Sequence, residues 1–151
     1  MADPGIKAPC GPPVVLLVDD EPLLLEVIAQ ELRRSFELHT AASAAEADRK
    51  VAARPFDVVV CDHMLPGEQG LDFLIRLMDK APSTRRILMT GYTNTEFISR
   101  SMAIGGLSAC LVKPLRAADI ARAIGEALGP GRGLGRAPEP GAQKRGGWAA
   151  T

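Results

Sequence analysis

The sequence predicts an α/β domain, a doubly wound parallel five-stranded sheet covered by helices. Three observations predict it. Short runs that are apolar at consecutive positions alternate five times with segments whose apolar residues recur at helical spacing. The runs read as strands buried on both faces, which suits a parallel sheet joined by right-handed helical crossovers. Polar residues able to do chemistry follow these runs, at the edge where open α/β sheets hold their ligands. Spacing alone leaves the order of the strands open.

The chain has 151 residues, enough for one domain with a substantial core. Its 46% apolar and 24% charged residues are ordinary for a globular protein, and the formal net charge is zero. Composition therefore gives no reason to expect a nucleic-acid or membrane partner. No apolar run approaches the length of a membrane span, and Met1 to Pro13 lacks the layout of a signal peptide. A cytoplasmic protein is expected. Cys10, Cys61 and Cys110 are odd in number and lack metal-ligand spacing. Cys61 and Cys110 read as small apolar strand residues.

Residues 1–13, rich in proline and without periodicity, read as a disordered lead. Val14 to Val18 is the first strand. Asp19-Asp20-Glu21 follows, and Pro22 opens a helix, since proline suits the first helical position. Leu24, Val27, Ile28 and Leu32 form its apolar stripe. Phe36 to Ala41 is a second, less apolar strand, placed at a sheet edge. Ser43 and Glu46 form a capping box for a helix through Ala53, which Arg54-Pro55 ends.

Asp57 to Cys61 is the third strand, with a loop from His63 to Gly70. The next helix runs from Leu71 to Lys80 and buries Leu71, Leu74, Leu77 and Met78. Arg86 to Thr90 is the fourth strand. Thr93-Asn94-Thr95 caps a helix to Ile104, which Gly105-Gly106 terminates. Ser108 to Val112 is the fifth strand, broken by Lys113-Pro114. A last helix spans Ala117 to Leu128 with Ile120, Ile124 and Leu128 in one stripe. The folded domain is thus 14–129. Residues 130–151, dominated by glycine, proline and basic residues, read as a disordered tail.

Val58-Val59-Val60-Cys61-Asp62 ends in one carboxylate, and Pro66-Gly67 turns the chain soon after. If the first and third strands are neighbours, Asp19, Asp20 and Asp62 meet in one crevice. Like charges so close need a counter-ion. An oxygen-only, carboxylate-rich site suits Mg²⁺. A carboxylate can act as the nucleophile in phosphoryl transfer, giving an acyl phosphate. Thr90 and Lys113, after the fourth and fifth strands, would supply a hydroxyl donor and a cation for the phosphoryl oxygens. Each residue alone has an ordinary structural reading as a cap or turn; their common position at successive strand ends favours the chemical one.

From Val14 to Leu128 the chain resembles the receiver domain of bacterial two-component response regulators. The resemblance rests on the acidic pair Asp19-Asp20, on Asp62 followed by Met64-Leu65-Pro66-Gly67 and Gly70, on Thr90, and on Lys113-Pro114. It implies a flavodoxin-like (βα)5 fold with strand order 2-1-3-4-5. It implies that Asp62 receives a phosphoryl group from a histidine kinase or histidine phosphotransfer protein. Asp20, Asp62 and the main-chain carbonyl of Met64 would hold Mg²⁺ directly, with Asp19 acting largely through water. Lys113, in a cis bond to Pro114, would contact a phosphoryl oxygen. Thr90 would move toward the phosphoryl group and couple it to the face made by the fourth helix, fifth strand and fifth helix. Homodimers through that face are also implied.

One position departs from the family. Three residues before the Lys, where the family usually has Tyr or Phe, stands Cys110. Either Thr90 moves without an aromatic partner, or another side chain takes the part, with Tyr92 the nearest aromatic candidate. Tyr92 borders the site, and its ring would hinder an attacking water and slow the loss of phosphate. His63 is expected to be solvent-exposed.

The leading reading is a switch module and not an enzyme, since the residues after Leu128 are too few for a DNA-binding or catalytic output domain. A variant is a receiver from a longer regulator, with 130–151 as its linker. A haloacid-dehalogenase-like phosphatase would need a second aspartate where Met64 stands. A flavodoxin would need a phosphate-holding loop where Asp19-Asp20-Glu21 would repel phosphate. A receiver-like scaffold that is never phosphorylated would be marked by loss of an acidic residue or of the Lys, and all are present.

Overall fold

A computed structural model describes residues 11–129. The strands are β1 (Val14–Val18), β2 (Glu37–Ala41), β3 (Val58–Asp62), β4 (Met64–Leu65), β5 (Glu68–Gln69), β6 (Arg85–Thr90) and β7 (Ala109–Val112). The helices are α1 (Pro22–Leu32), α2 (Ala44–Ala53), α3 (Gly70–Lys80), α4 (Thr95–Gly105) and α5 (Ala117–Leu128). Five strands form one parallel sheet in the order β2-β1-β3-β6-β7. Because β4 and β5 form a separate small antiparallel hairpin, this is the expected 2-1-3-4-5 order of the main strands. The less apolar β2 lies at an edge, and the wholly buried β3 lies at the centre.

The strand side chains alternate between two helical layers, as a period of two requires. Val15, Leu17, Val58, Val60, Ile87 and Met89 pack with Ile28 and Leu32 of α1 and Ile120 and Ile124 of α5. Leu16, Val18, Val59, Cys61, Leu88 and Cys110 pack with α2, α3 and Ile98 of α4. Phe73 of α3 has no exposed surface, and burying such a ring contributes about 1.5–3 kcal/mol. Helix caps follow the sequence in part: the Ser43 half of the expected capping box forms, but the Glu46 carboxylate accepts from Ala42 N–H at 2.9 Å instead of from Ser43 N–H. Ser43 Oγ accepts from Glu46 N–H at 3.1 Å, Asn94 Oδ1 accepts from Phe97 N–H at 3.0 Å, and Gly106 ends α4 at φ +55°.

Several expectations need correction. Val27 is 67% exposed, since α1 turns Leu24, Ile28 and Leu32 inward and Leu23 and Val27 share the outer face. Met78 is only half-buried; Phe73 fills the space beneath α3 instead. The loop after β3 contains the β4–β5 hairpin, with Gly67 at φ +80° in its turn. Of the expected lead, only Gly11 to Pro13 are described, and the Pro13 carbonyl already accepts from Glu37 N–H at 2.9 Å. The rest of the lead and the tail 130–151 lie outside the described residues.

Gly70 closes that hairpin back onto the sheet. Its N–H donates to the His63 carbonyl at 2.7 Å, and a Cβ built on it would lie 1.9 Å from the Asp62 carbonyl oxygen. No side chain yields there, so the backbone must. Gly70→Ala is expected to lower stability by about 1–3 kcal/mol, the usual range for forced overpacking. Urea denaturation followed by far-ultraviolet circular dichroism measures this; an unchanged midpoint would show that the hairpin yields freely.

Candidate functional site

The parallel sheet delivers its chemistry to one edge. Asp19 follows β1, Asp62 ends β3, Thr90 ends β6 and Lys113 follows β7. The registers Val18 with Cys61, Asp62 with Met89, and Thr90 with Val112 bring these ends level. Carboxylate oxygens of Asp19, Asp20 and Asp62 all lie within 4.8 Å of one another. Lys113 Nζ reaches Asp62 Oδ1 at 2.8 Å and Asp19 Oδ2 at 3.9 Å. The peptide bond between Lys113 and Pro114 is cis.

Burial sorts the three acids. Asp19 and Asp62 are buried and Asp20 is exposed. Burial pushes the Asp19 carboxyl above its ordinary range, and the charges of Asp62 and Asp20 push it the same way. The Glu21 N–H, which donates to Asp19 Oδ1 at 3.0 Å, and the Lys113 ammonium oppose this. Burial pulls Lys113 down, but its hydrogen bond to Asp62 and the charges of Asp62, Asp19 and Glu21 leave it raised overall. Three carboxylates thus face one ammonium, through oxygen donors only. That donor set suits a hard divalent cation. Asp19 and Lys113 also line a cavity of about 410 Å³ that runs between α1 and α5.

Thr90 is fully buried. Its carbonyl accepts from Lys113 N–H at 2.8 Å, and its Oγ1 accepts from Tyr92 N–H at 3.0 Å. The main chain therefore ties Thr90 to Lys113 directly. Met64 begins β4 two residues after Asp62, with its side chain 58% exposed. Tyr92 is half exposed, and Cys110 is fully buried on β7 beside Leu88. Burial pushes the Cys110 thiol up to about 11. Cys110 packs in the α2–α4 layer as the small apolar residue expected of it.

His63 is a correction. It is 3% exposed, not solvent-facing. Its ring meets Tyr92 edge-on at 5.1 Å between centroids and Phe97 at 5.0 Å, and Tyr92 and Phe97 meet at 5.1 Å. Burial pulls its imidazole below the ordinary value, against the charges of Asp62 and Asp72. A signal for this was present in the sequence. Val59 and Cys61 face the α2–α4 layer, and the period of two carries the next alternate position, His63, to the same side. Phe97 gave no comparable signal, because its partners come from two other segments.

The sequence pattern of the response regulator receiver domain family matches residues 15–125. The chain is 33% identical over 100 residues to the hydrogenase transcriptional regulatory protein HoxA of Cupriavidus necator, covering 66% of this chain and 21% of that protein. It is 35% identical over 124 residues to the DNA-binding transcriptional activator DevR/DosR of Mycobacterium tuberculosis, covering 80% of this chain and 56% of that one. The chain thus spans less than two thirds of either relative. A CheY-like receiver domain protein from Methanospirillum hungatei superposes with a TM-score of 0.72 at 28% identity, covering 78% of this chain and 94% of the other. The chemotaxis response regulator CheY4 of Vibrio cholerae gives 0.71 at 25% identity, covering 78% and 99%. The sheet order, the acidic edge and these matches together place the chain in the response regulator receiver domain family.

Proposed function

We propose that the chain is the phosphoacceptor of a two-component or phosphorelay system, with Asp62 as the acceptor. The observation that carries this reading is the position of Asp62. It is buried at the end of the central strand, 2.8 Å from Lys113 and within 4.8 Å of two further carboxylates. A carboxylate so placed is a nucleophile with its charge stabilisers already oriented. One Asp62 carboxylate oxygen bonds to phosphorus while the P–N bond of a phosphohistidine breaks. The electron pair leaves with the imidazole of the donor, a histidine kinase or histidine phosphotransfer protein. Lys113 then contacts a phosphoryl oxygen, and the Thr90 hydroxyl turns toward another.

Asp19, Asp20, Asp62 and the Met64 carbonyl would hold Mg²⁺, which when bound supplies positive charge beside the phosphoryl oxygens. Asp20 is the exposed member, so it can change without disturbing the core. The module is a switch and turns over no metabolite. It works from the cytoplasm through protein partners, without direct contact to nucleic acid or membrane. Among the described residues no helix is long and apolar enough to cross a membrane. Pairing of two copies through the face of α4, β7 and α5 belongs to the same reading. A second reading, a receiver from a longer regulator, is favoured by one observation: the match covers only 21% of HoxA and 56% of DevR/DosR.

Incubation with acetyl phosphate and Mg²⁺ is expected to add one phosphoryl group, read by intact-mass spectrometry. Asp62→Asn and a chelator should each abolish the gain. Folded protein that gains nothing from either acetyl phosphate or a phosphorylated kinase would identify a scaffold that is never phosphorylated. Titration calorimetry should show Asp20→Asn binding Mg²⁺ at least about tenfold more weakly, since ligand charge sets affinity, with ion-free thermal unfolding no lower than the parent's because one repelling charge is gone. The half-exposed Tyr92 ring stands at the border of the site. Tyr92→Ala is expected to speed loss of phosphate by about tenfold, equal to about 1.4 kcal/mol of barrier. Equal decay rates for variant and parent would remove Tyr92 from that role.

A further inference from the structure

The phosphoacceptor reading leaves His63 without a task, and the following assignment rests on that reading. His63 is bonded directly to Asp62, and its backbone is fixed on both sides. Its N–H donates to the Met89 carbonyl at 2.7 Å and its carbonyl accepts from Gly70 N–H at 2.7 Å. The side chain is buried, yet Nδ1 has no hydrogen-bond partner among the described residues. Packing against Tyr92 and Phe97 places this ring.

The three rings come from three segments that matter to the switch. His63 continues the strand that ends in Asp62. Tyr92 lies two residues beyond Thr90 and donates its N–H to the Thr90 hydroxyl. Phe97 stands in the first turn of α4, after the Asn94 cap. Edge-on aromatic contacts are short-ranged and hold through ring positions, so moving one ring displaces its neighbours.

The two ends of α4 are held differently. Arg86 of β6 is buried and donates from Nε to the Gly105 carbonyl at 3.2 Å and from Nη2 to the Gly106 carbonyl at 3.0 Å. Its Nη1 donates to the Thr84 carbonyl at 2.8 Å. Hydrogen bonds from a cation to helix-end carbonyls are strong and directional. The carboxyl end of α4 is thus pinned to the sheet, while the amino end rests on the ring cluster.

We propose that His63 is the positioning residue that transmits the state of Asp62 to α4, through Tyr92 and Phe97, with Arg86 as the pivot. When the Thr90 hydroxyl turns to the phosphoryl group, it gives up the Tyr92 N–H. The Tyr92 ring then shifts against His63, whose own backbone does not follow. Phe97 takes up the displacement, and the first turn of α4 moves about its fixed carboxyl end. His63 is the stationary surface against which the other two rings move.

Hydrogen exchange of the full chain, read by mass spectrometry on peptides spanning 93–101, tests this. Each protein is compared before and after treatment with acetyl phosphate and Mg²⁺, and the change is normalised to the phosphorylated fraction from intact mass. The parent chain should change protection in these peptides. His63→Ala should lose that change, and His63→Phe, which restores a ring, should recover it. A purely structural role would lower protection in both states of His63→Ala and leave the difference between them intact. The proposal is overturned if His63→Ala keeps the parent difference, or if His63→Phe loses it as fully as His63→Ala. Should His63→Ala fail to fold, Phe97→Leu takes its place with the same expected loss and the same overturning result. A parent chain that is phosphorylated without any change in 93–101 overturns this inference alone. A parent chain that accepts no phosphoryl group from acetyl phosphate or kinase overturns the phosphoacceptor reading, and this inference with it.

Discussion

Three carboxylates within 4.8 Å of one another repel, and the rest of the structure is arranged to hold them there. Asp19 and Asp62 sit on the ends of neighbouring parallel strands, so the ladder between β1 and β3 fixes their separation. Those strands are buried on both faces, and their apolar burial offsets the repulsion at their tips. Among the described residues Lys113 supplies the ammonium in contact with the buried pair, and its hydrogen bond to Asp62 with the charges of both acids raises its pKa against the effect of burial. A site with this charge imbalance is receptive to a cation and, through that cation and Lys113, to an anionic group.

Stability and chemistry are thereby separated in space. The two apolar layers need only alternating strand side chains and the inner stripes of five helices. The candidate site residues occupy the carboxyl edge, where Asp62 and Thr90 are the last paired residues of their strands and Asp19 and Lys113 lie just beyond theirs. Gly70 is the place where the two demands meet. The loop that follows Asp62 must return close enough for its backbone to touch the Asp62 carbonyl, and only a residue without Cβ permits that approach.

Most of the site was legible because strands end where their apolar runs end. Asp19, Asp62, Thr90 and Lys113 each stand at such a boundary, and the structure brings all four to one edge. Strand order came from the resemblance, because pairing between strands distant in sequence leaves no mark on local spacing. His63 was misjudged because a polar residue after a strand was read as the start of solvent, although the alternation of β3 continues through it. The β4–β5 hairpin escaped notice because two-residue strands have no periodicity to read. On α1 the apolar residues outnumber the inward positions, so Leu23 and Val27 matched the pattern and still face out.

Two thiols lie inside this architecture, and their placement has a consequence for redox behaviour. Cys61 adjoins Asp62 and donates from Sγ to its carbonyl at 3.3 Å, while Cys110 occupies the middle of β7 with no exposed surface. Burial pushes both thiols above their ordinary range, Cys110 up to about 11, with the nearby carboxylates adding to the effect at Cys61. Since the thiolate is the species that oxidants and alkylating agents attack, both sulfurs are inert while the fold is closed. Among the described residues, the acidic edge therefore has no reactive thiol at its back while the sheet stays closed. The rate at which a thiol reagent modifies Cys61 and Cys110 becomes a clock for how often the sheet opens.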